Sequence, residues 1–300
     1  MKFTLQVPPN FSFWRTVYSH GWCSLPPFDV RKDDNHLRRL FVLPAGKILA
    51  VEISQPAPSH LTLSIPSDQS LNLREKRDLL SQVKICFRLD EDYSTFYAEA
   101  KRHPQYRWIP REGAGRLLRA PTVFEDVIKM ICTTNCSWAL TELMVGNLCS
   151  KLGYGNHDSE KTFPNPEAIA VTTEKFLRKE IRAGYRAPYL LELSKRILKG
   201  EIDPETWRSS DLPAAELFEQ VRSVKGIGPY AAGNILKLLG RYDYLGIDSW
   251  CRKKFSEIHR NGRKTNDRVI ERYYEPFGQW RGLFFWLDVT KHWYEKKFPF

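Results

Sequence analysis

The sequence predicts an α+β protein, a mostly α-helical body preceded by an N-terminal antiparallel β subdomain. Two observations carry this expectation. Residues 1 to about 66 hold short runs of alternating apolar and polar side chains, whereas from Ser70 onward apolar residues recur at helical spacing. A third concerns organisation: Val224–Phe255 sets a Gly-Ile-Gly turn ahead of two helical runs, with no internal repeat or low-complexity linker elsewhere. The predicted division is a β-rich subdomain with flanking helices over 1–100 and a helical region over 101–300.

Taken in order, Lys2–Val7 alternates in character, and Leu40–Pro44 and Lys47–Ile53 flank Ala45-Gly46 as hairpin strands would. His60–Ile65 (HLTLSI) alternates again, so these segments predict a small sheet with one face laid on another layer. Phe11–His20 and Trp22 suggest a short aromatic helix and a turn ending at Pro26-Pro27. Leu71–Leu89 carries Leu79, Leu80, Val83 and Cys86 at helical spacing, and Glu91–Arg102 follows. A loop rich in Pro, Gly and Arg spans 104–119. Thr122–Trp138 predicts a buried helix on the stripe Phe124, Val127, Ile128, Ile131 and Cys132. Further helices are predicted over Thr141–Leu152, Pro166–Ala170, Thr173–Ile181, Pro188–Leu198, Ala214–Val224 and Tyr230–Leu239, and two more within 265–295.

The 300 residues, 42% hydrophobic and 13% aromatic, can build a full core, which excludes a disordered chain. Lys and Arg exceed Asp and Glu by 46 − 35 = 11, and the pI is near 9.3. That excess favours a polyanionic partner, nucleic acid first. Six cysteines are dispersed without a C-x-x-C, so neither a zinc site nor an iron–sulfur cluster is written here. A reducing, intracellular setting is expected. The N-terminus lacks the apolar core of a signal peptide, and no run of about 18 apolar residues predicts a membrane span.

Gly226-Ile227-Gly228 opens a helix whose amides can hold a phosphate without reading base sequence. Ordinary helix connections use such turns too, so the turn alone is weak evidence. Asp248, eighteen residues past Tyr230, is a lone carboxylate in a basic neighbourhood that includes Arg252, Lys253 and Lys254.

These residues resemble the helix-hairpin-helix (HhH-GPD) family of DNA glycosylases, in the branch of 3-methyladenine glycosylase II and 8-oxoguanine glycosylase. Other ordered segments extend the likeness to most of the chain: Arg119–Glu125 followed by Ile131–Asn135, Gly184–Tyr189, and Phe277–Gly282. The resemblance implies a helix-hairpin-helix over about 214–239 within a catalytic region. It further implies base excision repair, in which a damaged nucleotide is flipped out of duplex DNA and its N-glycosidic bond cleaved. Asp248 matches the catalytic aspartate, which would stabilise positive charge on the sugar. Its position before a helix also makes it an N-cap candidate. Bifunctional members carry a Schiff-base lysine where this chain has Tyr230, so a monofunctional enzyme without lyase activity is expected.

Tyr185, Arg186 and Asn135 match residues that wedge the duplex or fill its gap. Lys225, Arg252 and Lys253 are candidate phosphate contacts. Leu140 stands where an arginine would read the opposite cytosine, which weighs against an 8-oxoguanine:cytosine substrate. Trp286 lies near a base-stacking position and Trp250 lies two past Asp248, with Trp138 and Phe13 as weaker pocket candidates. Indoles suit cationic bases, so alkylated purines such as 3-methyladenine are the expected substrate class. Excision of 8-oxoguanine, uracil or hypoxanthine is the alternative, and a non-catalytic DNA-binding or damage-sensing protein is the rival of another class. The resemblance implies no cofactor and no catalytic metal, and it allows a structural Na+ or K+ at the hairpin carbonyls. The partner expected is double-stranded DNA with damaged bases, bound by a monomer, in nucleoid or cytoplasm for a bacterial source and in the nucleus for a eukaryotic one.

Overall fold

The computed structural model describes residues 1–31, 35–66, 69–155 and 160–295. The first layer is one antiparallel sheet of β1 (Lys2–Gln6), β2 (Phe28–Arg31), β3 (His36–Val42), β4 (Ile48–Ala57) and β5 (His60–Ser64), in the order β1-β5-β4-β3-β2. A short helix α1 (Phe13–Val17) follows β1. Alternation decides the buried face, with Leu37 on β3, Leu49, Val51 and Ile53 on β4, and Leu61 and Leu63 on β5 all fully buried. Strand β2 escaped the sequence reading because Phe28–Arg31 is too short to show a period.

The helical body comprises α2 (Leu73–Phe87), α3 (Ser94–Arg102), α4 (Trp108–Glu112), α5 (Val123–Thr133), α6 (Trp138–Leu152), α7 (Pro166–Ala170) and α8 (Glu174–Lys179). It continues through α9 (Ala187–Leu198), α10 (Ala214–Arg222), α11 (Pro229–Leu239), α12 (Ser249–His259), α13 (Asp267–Tyr274) and α14 (Arg281–Glu295). Helix α4 lies within the segment expected to be a loop. The helix expected to reach Trp138 stops at Thr133, because Asn135 takes φ +47°, and Trp138 instead begins α6 behind the Ser137 cap.

Buried charges tie the two layers together. Arg39 on β3 and Lys129 on α5 both clasp Glu125, at 2.5 Å and 2.7 Å, with all three side chains buried. Arg88 donates to the carbonyls of Leu117, Lys237 and Leu238, and Arg119 donates to Leu238 at 2.9 Å. Two guanidiniums therefore cap the C-terminal end of α11, where the helix dipole is negative. The hydrophobic core runs continuously from Leu5 to Trp293, so the sheet helps to position the helices around α11.

Candidate active site

Helices α10 and α11 enclose the hairpin. Its Val224 and Ile227 side chains are buried, and the Ile227 amide donates to the Val224 carbonyl at 3.0 Å. Gly226 sits at φ +91°, and a Cβ there would stand 2.4 Å from the Tyr189 ring, so the close approach of α9 requires glycine. At Gly228, the N-cap of α11, nothing lies within 4 Å of a Cβ position, which leaves this backbone open to approach. Lys225 is exposed and pairs with Glu192 at 3.0 Å.

Beyond α11 the chain turns back, and Asp248 caps α12, its Oδ1 accepting the Cys251 amide at 2.7 Å. The half-buried carboxylate also lines a cleft of about 490 Å³. Tyr230 lines the same cleft. Its hydroxyl is pushed well above the ordinary tyrosine range, by burial first and the Asp248 charge next, so it stays protonated.

The three tryptophans singled out as pocket candidates all line this cleft. The indole of Trp286 donates to the Ser19 carbonyl at 2.9 Å, and Trp138 donates to Ser24 Oγ at 3.1 Å and Glu142 at 3.0 Å. Trp250 sits 6.5 Å from Trp286, ring to ring. Phe13 does not join them; it is 2% exposed and stacks on Phe87 at 5.5 Å, in the core beneath the sheet. A single aromatic in an amphipathic segment gives no sign of which face it takes.

Two elements of the cleft went unread in the sequence. His20, Gly21 and Trp22 reach in from the N-terminal subdomain. His20 Nε2 meets the Leu118 carbonyl at 2.5 Å, and burial lowers its ring to about 3, so the ring is neutral and Nε2 carries the donated proton. A Cβ on Gly21 would lie 2.3 Å from the Trp138 ring, so only glycine admits that indole. The second is Lys237, buried at 2% exposure, whose Nζ donates to the Leu245 carbonyl at 2.5 Å. Tyr230, Asn234 and Lys237 follow i, i+4, i+7 spacing and all line the cleft; extending the stripe from Tyr230 could have found Lys237.

The wedge candidates divide. The exposed Tyr185 hydroxyl lies 3.4 Å from Asn135 Nδ2 and donates to the Thr134 carbonyl at 3.2 Å, which brings Tyr185 and Asn135 together. Arg186 was expected to face DNA but is 3% exposed. Its guanidinium donates to the Thr134 carbonyl and lies 4.5 Å from the Tyr185 ring, bracing the turn. Of the basic run, Lys253 is exposed, whereas Arg252 pairs with Asp267 at 3.0 Å between Nη2 and Oδ2. Among the described residues no three His, Cys, Asp or Glu side chains converge as metal ligands, and no helix is long and apolar enough to cross a membrane.

A helix-hairpin-helix leading to an aspartate in an aromatic cleft defines the class. Residues 128–279 match the HhH-GPD superfamily of base excision DNA repair proteins, and the chain belongs to that superfamily of DNA glycosylases. It is 29% identical over 273 residues, covering 83% of each chain, to a probable N-glycosylase/DNA lyase of Methanothermobacter thermautotrophicus. Its fold is similar to that of the 3-methyladenine DNA-glycosylase from Archaeoglobus fulgidus, with TM-score 0.75, 20% identity, and 97% of this chain and 99% of that chain covered. It is similar too to the Clostridium acetobutylicum 8-oxoguanine glycosylase/lyase, with TM-score 0.74, 21% identity, and 96% and 95% covered.

Proposed function

We propose that this DNA glycosylase is monofunctional, hydrolysing the N-glycosidic bond of a flipped damaged base and leaving an abasic site in an intact strand. The observation that carries the reading is Tyr230, a protonated phenol beside Asp248 in the cleft, where a strand-cleaving mechanism needs an amine. Loss of the base puts positive charge on the sugar. The Asp248 carboxylate, fixed by the Cys251 amide, is suited to stabilise that charge and align the attacking water. The hairpin around Gly226 and Gly228 would hold the backbone, with Lys225 and Lys253 as phosphate contacts, while Tyr185 and Asn135 open the duplex. A structural Na+ or K+ at the hairpin carbonyls, shared with a phosphate, is part of the same proposal. We take the acting species to be a monomer.

The substrate is a damaged base, with two classes in view. The indoles of Trp286, Trp250 and Trp138 support alkylated purines such as 3-methyladenine through cation–π attraction. A second reading, neutral oxidised or deaminated bases such as 8-oxoguanine, hypoxanthine or uracil, is favoured by the Lys237 ammonium in the same cleft. The test is a panel of lesion-bearing duplexes, scored for released base and for strand cleavage with and without alkali. Base release with alkali-dependent cleavage is expected. Cleavage without alkali, or an adduct trapped by borohydride, overturns the monofunctional assignment. Salt-sensitive duplex binding with no base released from any lesion would favour the non-catalytic rival instead.

A further inference from the structure

Lys237 is a buried cation that the reaction outlined above does not use. Among the described residues no carboxylate forms an ion pair with it. The Leu245 carbonyl takes one of its three protons, and the ring centres of Trp286 and Phe285 lie 5.4 Å and 5.8 Å from Nζ. An apolar side chain of similar length would fill the same space without removing a charge from water, a substantial cost for an incompletely paired ion. The amine nevertheless borders the cleft, and its cation already engages the Trp286 indole expected to attract a charged base.

We propose that Lys237 sets the charge preference of the base pocket, donating a hydrogen bond to a carbonyl oxygen of a neutral flipped base and repelling a base with fixed positive charge. This rests on the glycosylase reading of the cleft and takes its second substrate reading, neutral bases, over the cationic alkylated purines. At an effective dielectric of about 20, two unit charges about 6 Å apart repel strongly enough to disfavour the cationic base by about a hundredfold.

The ammonium is also titratable. Burial lowers it to about 8, with the Asp248 charge acting in the opposite direction. The titratable groups lining the cleft with it are Asp248 at the N-cap of α12, Cys251 on α12, His20 from the N-terminal segment, Cys136 between α5 and α6, His292 on α14 and Tyr230 on its own helix. Burial keeps His20 neutral and holds the Cys251 thiol and Tyr230 hydroxyl protonated, so these three groups add no change in charge as Lys237 titrates. The repulsion should therefore fade as pH rises through about 8.

The experiment compares single-turnover release of hypoxanthine and of 7-methylguanine from matched duplexes, corrected for enzyme-free loss. Both bases present a carbonyl at the same ring position, and only the second carries a fixed charge in DNA. Wild type, Lys237→Met and Lys237→Arg are assayed, with thermal midpoints measured in parallel. The expected result is a neutral-to-cationic rate ratio that falls about tenfold or more in Lys237→Met and stays within about threefold of wild type in Lys237→Arg. The wild-type ratio should also fall between pH 6.5 and 9 relative to that of Lys237→Arg, whose charge does not titrate in this range and which controls for the ring protons that both bases lose there. The same pH profile in wild type and Lys237→Arg, or a ratio unchanged in a folded Lys237→Met, overturns the proposal. If the wild type releases bases in an Asp248-dependent way while the ratio ignores Lys237, only this proposal fails. If it releases neither base nor any other lesion of the panel, the glycosylase reading fails and this inference falls with it.

Discussion

Gly226→Ala isolates what the hairpin demands of its backbone. Gly226 lies at φ +91°, where an L-residue is strained by about 1–2 kcal/mol. Its new Cβ would stand 2.4 Å from Tyr189 Cδ2, 2.8 Å from Cγ and 3.1 Å from Cβ. Those atoms are the root of the tyrosine, not a free tip, so relief requires the hairpin to move away from α9. Overpacking of that kind costs about 1–3 kcal/mol, and the two contributions together make about 2–5 kcal/mol. At about 2–4 °C per kcal/mol, the thermal midpoint should fall by about 4–20 °C. Calorimetry without DNA reads the stability, and titration of an undamaged duplex at two salt concentrations reads the grip. In a Tyr189→Ala background the ring contacts are gone, while the 3.1 Å approach to Cβ and the backbone strain remain, so the same substitution should cost less than in wild type. A Gly226→Ala protein with the wild-type midpoint and wild-type duplex affinity would refute this reasoning.

Two further outcomes separate bracing from DNA contact and test a buried acid. Arg186→Ala should lower the thermal midpoint, because it removes the brace on the Thr134 carbonyl and the Tyr185 ring, at a cost of about 1–3 kcal/mol. The slope of log affinity against log salt should stay unchanged, whereas Lys253→Ala should reduce it by about one. Burial raises the Asp126 carboxyl from 3.8 to about 6. The folded state thus binds this proton more tightly than the unfolded chain, and the resulting stability is present below pH 3.8 and lost as pH rises through about 6. Asp126→Asn keeps an acceptor for the Trp22 indole, 2.7 Å away, and the Ala120 amide, 2.9 Å away. Its midpoint should gain on wild type between pH 4.5 and 7.5, and a parallel pair of curves would count against the raised carboxyl.

The fold class was legible because its signals are local. The alternation in HLTLSI and the buried stripe of Thr122–Trp138 each reflect one face of one element. The hairpin and Asp248 were legible for a related reason, since spacing along a single stretch sets their geometry. What sequence reading missed was assembled across the chain. His20, Gly21 and Trp22 reach the cleft through bonds made across the chain, His20 with the Leu118 carbonyl, Trp22 with Asp126 and the Trp286 indole with the Ser19 carbonyl. Arg186 reads as a wedge residue facing DNA, and only the approach of the Thr134 carbonyl buries it. Lys237 resembles any basic residue of a last helical turn. It becomes a cleft residue because Leu245 and Trp286 close over it.

Asp248 both caps a helix and faces the cleft, and one substitution separates the two roles. Asparagine caps a helix about as well as aspartate, so Asp248→Asn should keep the wild-type thermal midpoint and duplex affinity. The decisive measurement is its single-turnover rate of base release beside that of wild type, on a lesion that the wild type excises. A fall of about a hundredfold or more is predicted for loss of the carboxylate that stabilises the charged sugar. Release within a few-fold of wild type by a folded, DNA-binding Asp248→Asn protein would contradict the account.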